Sequence, residues 1–302
     1  MKRIALLIAT NLAVVLLLSA IVQVFGIDNY LTRRGINYES LLIFSAVLGF
    51  GGAFFSLAIS KWMAKRAMGV QVIAQPSSET ERWLVQTVRS HAEKAGIGMP
   101  EVGIFDSPEP NAFATGPRKN NALVAVSTGL LRSMRREEVE AVLGHEVAHV
   151  ANGDMVTLTL IQGVLNTFGF FLARVIGNIV DGFLRGNSNE NRGPGIGYFV
   201  VVMVSEVVLA LFASMIVAWF SRRREFRADA GGAYLAGTGS MIGALQALKA
   251  AHSPSRMPQQ LQAFGINGGL AQGLQKLFMS HPPLDERIAA LEQRTDALGR
   301  AS

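Results

Sequence analysis

Four stretches of this 302-residue chain, 4–25, 41–63, 155–180 and 196–220, each run for about 20 residues with few or no charges, the length that crosses a hydrocarbon core of about 30 Å. A backbone in lipid must satisfy its own hydrogen bonds, so these stretches are expected to be helices. They explain why hydrophobic residues reach 50% and charged residues only 17%, where an ordinary soluble domain is about a quarter charged. Disorder is excluded, and the composition argues against a purely soluble globule. The first stretch is too long for a typical signal-peptide core and ends in Val-Phe-Gly-Ile-Asp rather than a small-x-small site, so it reads as an uncleaved anchor.

Positive charges flank the spans unevenly. Lys2 and Arg3 precede the first; Lys61, Lys65 and Arg66 follow the second; Arg222, Arg223, Arg224 and Arg227 follow the fourth. The short connections carry weaker sets, Arg33 with Arg34 and Arg185 with Arg192, diluted by Gly, Asn and acids. By the positive-inside rule both termini are cytoplasmic. Four parts follow: an N-terminal transmembrane hairpin, 1–63; a first cytoplasmic part, 64–154; a second hairpin, 155–220; and a second cytoplasmic part, 221–302. Outer loops fall near 27–40 and 181–195, the latter running into a Gly/Asn-rich turn at 186–197. The net charge of +6 then belongs beside anionic lipid. No basic-aromatic interleaving points to nucleic acid.

No cysteine occurs, so a metal site must use His, Asp or Glu. Gly144-His145-Glu146-Val147-Ala148-His149 lies within a stretch, 135–150, that reads as helix, with Glu137 and Glu138 near its start and Asn152-Gly153 near its end. Four residues apart on a helix, His145 and His149 share a face and can aim at one ion. Glu146, one step round, stands where a carboxylate can take a proton from water at the metal without itself binding the metal. Two histidines and a glutamate also fall at this spacing by chance, so a third ligand decides.

A metzincin would have Gly at 152 and His at 155, where this chain has Asn152 and Met155. Glu206 lies deep in a span, Asp154 sits at a membrane boundary and His252 has no partner. Glu225 is the best candidate because Asp229 follows four residues later on the same face, suited to orient one histidine, His149 by preference. This His, His, Glu set, with one position left for water, resembles the gluzincin metalloproteases. The topology agrees. His149 is five residues before the third span and Glu225 five after the fourth, so the hairpin returns both halves of the site to one membrane face, within about 10–15 Å of the lipid by helical rise.

Over nearly its full length the chain resembles the HtpX family of bacterial membrane zinc metallopeptidases, relatives of the CAAX prenyl proteases. The resemblance rests on the four spans, the Gly-His-Glu-Val-Ala-His word, Ser221-Arg222-Arg223-Arg224-Glu225-Phe226-Arg227-Ala228-Asp229, and His281-Pro282-Pro283-Leu284-Asp285-Glu286-Arg287-Ile288. It implies a stress-response endopeptidase of the bacterial inner membrane that cleaves misfolded or abnormal membrane proteins at the cytoplasmic face. One Zn2+ per chain would be held by His145, His149 and Glu225, with Glu146 catalytic. It also singles out Asn111, Ala112, Phe113 and Ala114 as a substrate-binding edge strand, although Pro108, Pro110, Gly116 and Pro117 equally suit an ordinary loop. His281 is a candidate to stabilise the oxyanion and Arg287 to support the site, while His281-Pro282-Pro283 doubles as a plain helix entry. Homo-oligomerisation is left open.

The expected fold is therefore a mainly α integral membrane protein: four transmembrane helices plus a gluzincin-like cytoplasmic domain with a small β-sheet. Strands are expected at 102–105, 112–115 and 123–126, and further helices at 79–95, 241–251 and 284–296. Arg174 and Glu206 within spans mark either a functional pair, an ion pair inside the hairpin, or an arginine reaching for headgroups. His91 and His252 read as surface or structural. Two competing functions are a polytopic transporter, which would need ionisable residues along several spans, and a non-catalytic zinc-binding membrane scaffold, which would not need Glu146.

Overall fold

The computed structural model describes residues 23–24, 37–185, 195–251 and 281–299. Apart from 23–24, the first expected span lies outside these residues, as do 186–194 and His252. The chain divides into two compact units, Met1–Ser56 with Leu158–Val217, and Leu57–Thr157 with Ala218–Ser302.

Among the described residues, three helices are long and apolar enough to cross a membrane: α1 (Tyr38–Ala67), α5 (Asp154–Arg185) and α6 (Ile196–Ala236). They contain the second, third and fourth expected spans. In the first unit, Phe44, Val47 and Phe55 of α1 and Met203, Val207 and Phe212 of α6 are exposed, as lipid-facing side chains are. Small residues let these helices approach: a Cβ on Gly49 would lie 2.5 Å from the Thr167 backbone nitrogen, and one on Gly163 would lie 2.5 Å from the Phe50 ring. Arg174 Nη1 donates to Glu206 Oε1 at 2.9 Å and to the Phe170 carbonyl at 2.9 Å. Of the readings open to Arg174, this is the ion pair within the hairpin.

The second unit is built on a four-stranded sheet of order β1-β2-β4-β3. Its strands are β1 (Gln71–Val72), β2 (Glu101–Phe105), β3 (Ala112–Arg118) and β4 (Asn121–Ser127). The apolar run from Ala122 to Val126 is wholly buried, as expected of a central strand. It pairs in parallel with β2 and antiparallel with β3, which leaves β3 on the edge of the sheet. Gly116, at φ 143°, takes up an irregularity in β3 where a Cβ would meet the Asn121 carbonyl oxygen at 2.3 Å. β1 was not expected; two exposed residues carry no alternation to read. β3 and β4 are also longer than the sequence suggested, because their shared turn lets polar residues join the ladder.

Helices cover the sheet. α2 (Glu79–Lys94) opens on a capping box in which Ser78 Oγ accepts the Glu81 N–H and Glu81 reaches back to Ser78. α3 (Thr128–Ser133) is capped by Ser127, whose hydroxyl also accepts the Asn111 N–H at 2.9 Å and so fixes the entry to β3. α4 (Arg136–Asn152) carries the histidine motif and ends on Gly153 in the left-handed conformation, the glycine C-cap read from Asn152-Gly153. Lys119, in the β3–β4 turn, donates to the Ala151 carbonyl in its last turn. α7 (Thr238–Ala251) and α8 (Leu284–Gly299) complete the unit. Leu84, Val124, Val126, Leu143, Leu245 and Leu291 meet in one core.

The crossing of α4 with the second half of α6 positions everything that follows. A Cβ on Gly232 would lie 3.0 Å from the His145 nitrogen and 2.9 Å from Met241 Sδ, and one on Gly231 would lie 2.5 Å from the Ala148 Cβ. Only residues without side chains allow the two helices this close. Gly232→Val is therefore expected to destabilise the protein by about 1–3 kcal/mol through overpacking. Gly239→Val, at a position with open space around it, should be nearly silent apart from a small propensity effect. Thermal unfolding of both variants in detergent checks this; equal midpoints would show that the crossing is not tight.

Candidate metal centre

His145 and His149 project from one face of α4, as their spacing requires, and their rings meet edge to face with centroids 4.6 Å apart. Glu225 comes from α6, whose buried stripe Ala218, Ser221, Glu225, Ala228, Asp229 and Gly232 continues the apolar helix into the second unit. His145 Nε2 and His149 Nε2 stand 3.1 Å apart. Glu225 Oε1 is 3.3 Å from His149 Nε2, and Oε2 is 3.6 Å from His145 Nε2. A tetrahedral zinc with bonds of 2.0–2.1 Å spaces its ligand atoms by about 3.3 Å. These three residues are the one set among the described residues whose His, Asp or Glu donors converge in this way.

The donors are aimed from behind. His145 Nδ1 donates to Asp229 Oδ1 at 2.9 Å, and His149 Nδ1 donates to Asp154 Oδ2 at 2.6 Å. Each contact fixes the tautomer with its proton on Nδ1 and leaves the Nε2 lone pair for a metal. The sequence paired Asp229 with His149; the structure gives it His145 instead. Asp229 lies one turn beyond Glu225 and reaches the nearer histidine, whereas Asp154, just past the Gly153 cap, folds back onto the last turn of α4. By sequence Asp154 stands only as a candidate ligand at a membrane boundary; in the structure it orients a ligand instead. The signal was an acid directly after a glycine-terminated helix.

Arg287, in the first turn of α8, is buried and grips both oxygens of Asp229, with Nε to Oδ2 at 2.8 Å, while Nη1 lies 3.4 Å from Glu225 Oε2. Burial opposes its charge, but Asp229 and Glu225 outweigh that and push its pKa up. His281 lies on the open side: its ring is 66% exposed and Nδ1 sits 2.8 Å from Glu225 Oε2. Glu146 is the one residue of the stretch 141–150 that is not buried, and it donates no ligand to the converging set. His91 is not surface but buried and structural, with Nε2 3.0 Å from the Glu140 carbonyl.

Charge favours a cation here. Glu225, Asp229 and Asp154 are each about 1% exposed, Arg224 and Arg287 are also buried, and Glu146 is half-buried. Glu225, Asp229, Asp154 and Glu146 face the buried guanidinium groups of Arg224 and Arg287, with the exposed Arg227 Nη2 3.8 Å from Asp154 Oδ1, so carboxylates outnumber their guanidinium partners. Protons are the substitute without metal. Burial alone would depress the His149 pKa, but hydrogen bonds to Asp154 and Glu225 outweigh it and push it up to about 9. His145 is raised in the same way by Asp229 and Glu225 against burial.

Asn111 precedes β3 and is exposed, Ala112 and Phe113 are half-buried, and Ala114 is buried. Ala112, Phe113 and Ala114 pair with Val126, Ala125 and Val124 of β4, so the expected edge strand is a strand and lies at the edge, with α4 packed against it. Proline on either side does not make it a loop, because Ser127 ties down its start.

Residues 78–295 match Peptidase family M48. The chain is 63% identical to Protease HtpX of Thioalkalivibrio sulfidiphilus over 294 residues, covering 97% of this chain and 99% of that one. It is 64% identical to the Protease HtpX homolog of Thiobacillus denitrificans over 291 residues, covering 96% and 99%. In fold it is similar to the crystal structure of S. mikatae Ste24p, with a TM-score of 0.61 at 19% identity over 95% of this chain and 67% of that one. A zinc-compatible His, His, Glu set, apolar helices of membrane length and these matches agree: the chain belongs to peptidase family M48 and is a membrane-bound zinc metalloprotease.

Proposed function

We propose that His145, His149 and Glu225 hold one zinc ion, that Glu146 is the general base and acid, and that the chain is an endopeptidase cleaving misfolded or abnormal membrane proteins at the cytoplasmic face of a bacterial inner membrane. The observation that carries this reading is the convergence of three buried donors at 3.1–3.6 Å beside a glutamate that does not join them. Zinc, when bound, lowers the pKa of a water toward about 7 and polarises the scissile carbonyl. Glu146 takes the proton of the attacking water and hands it to the leaving amine. His281, on the open side, donates to the oxyanion as it forms. Asp229 and Arg287 hold His145 and Glu225 in place. The edge of β3, 111–114, takes up an extended substrate through backbone hydrogen bonds, which gives affinity with little sequence preference.

Orientation rests on charge and aromatics. Arg222, Arg223 and Arg227 follow the apolar part of α6, and the Arg223 guanidinium lies 4.3 Å from the centroid of the half-exposed Trp219 ring, the pairing expected at a headgroup boundary. The four-part division of the chain follows from the same boundaries, with both termini and the site on the cytoplasmic side.

Chelation should abolish cleavage of casein, an unfolded probe, and added zinc should restore it. Glu146→Gln should retain zinc and fold but lose activity by roughly 10²–10⁴; wild-type turnover in that variant would remove Glu146 from the mechanism. Glu225→Ala should instead lose the metal, read by elemental analysis of the purified protein, and full occupancy there would exclude it as a ligand.

The metal-free histidines generate a pH prediction. Zinc needs both Nε2 lone pairs, while His149 keeps its proton up to about 9. Binding at pH 7 should therefore release protons, and the apparent affinity should climb as pH rises toward about 9, then level off. Calorimetry in buffers of different ionisation heat measures this. Identical heats at pH 7 would mean that the histidines are already neutral.

A further inference from the structure

The two histidines are held by carboxylates of different origin. Asp229 shares α6 with Glu225 and is gripped by Arg287. Asp154 is the first residue of α5, the helix that continues into an apolar span, and it comes directly after the left-handed Gly153. The Gly153 N–H donates to the His149 and Val150 carbonyls, which closes α4 and turns the chain so that Asp154 returns over the turn from which His149 projects. At 1% exposure and 2.6 Å from His149 Nδ1, its carboxylate is spent on that ring. Its other oxygen, Oδ1, accepts no hydrogen bond, with Arg227 Nη2 3.8 Å away.

From this geometry we infer that Asp154 is the positioning residue for His149, setting zinc affinity and ligand geometry without touching the metal or the substrate. The inference rests on the reading that His145, His149 and Glu225 hold zinc. An acid at the start of α5 would also suit the helix dipole, and that purely structural role makes a different forecast: it changes stability but leaves the metal's surroundings alone. A carboxylate on Nδ1 orients the ring and raises its basicity, and loss of such a partner weakens metal binding by roughly 10–100-fold.

The test uses the full chain in detergent, stripped of metal and titrated with zinc against a chromophoric chelator, and separately loaded with Co2+ for its visible spectrum. Asp154→Asn, which keeps the size but not the charge, should bind zinc roughly 10–100-fold more weakly and shift the Co2+ bands, with casein cleavage returning toward wild type at saturating zinc. Asp154→Ser, too short to reach His149, should weaken binding at least as much, and it serves if the Asn variant fails to fold. Wild-type zinc affinity and an unshifted Co2+ spectrum in a folded variant would overturn the inference. Should wild type bind no zinc, or His149→Ala bind it as tightly as wild type, the ligand assignment fails instead.

Discussion

Three buried donors held 3.1–3.6 Å apart are a liability unless something positive stands between them. Two imidazole lone pairs and a carboxylate repel one another at that range, and burial removes the water that would screen them. The surrounding acids deepen the problem, because Asp229 and Asp154 add charge behind each ring. Arg287 and Arg224 offset only part of it. A single divalent cation relieves the whole cluster, and in its absence protons on His145 and His149 do so partly. Metal retention and the packing of this unit are thus one problem.

The cluster persists because the backbone leaves it little room to spread. Gly231 and Gly232 bring α6 against α4 where His145 and Ala148 sit, and a side chain there would crowd the crossing that carries Glu225 and the histidines. From α8, Arg287 ties Asp229 and Glu225 together. Residues separated by more than 130 positions in sequence, His145 and Arg287 among them, depend on the same crossing. The chain between α4 and the second half of α6 contributes two long apolar helices, so the metal site is shared by segments on either side of an apolar hairpin.

Much of this was legible because it follows short-range rules. Spans show themselves by length, α4 by its spacing and its glycine cap, β4 by an unbroken apolar run, and Glu225 by its partner four residues on. What stayed hidden depends on where the chain turns or how closely helices approach. The match of Asp229 to His145 rather than His149 is decided by which turn of α4 faces α6, a packing fact without periodicity. Asp154 became visible only once Gly153 reversed the chain. Gly231-Gly232 looks like a weak point in a helix until the neighbouring His145 backbone gives it a reason, and β1 is two residues long and exposed.

The edge strand completes the proposed division of labour. β4 is buried and bonded on both sides, so β3 is fixed to a rigid neighbour; among the described residues no further strand covers its outer edge, which suits the proposed uptake of an incoming chain. A peptide bound that way is recognised by its backbone, and every extended segment presents the same backbone. Selectivity then falls to conformation: a folded partner has its backbone groups already paired, whereas a misfolded or unassembled one does not. On the proposed reading, a protease built on this principle needs no sequence code to separate damaged proteins from intact ones.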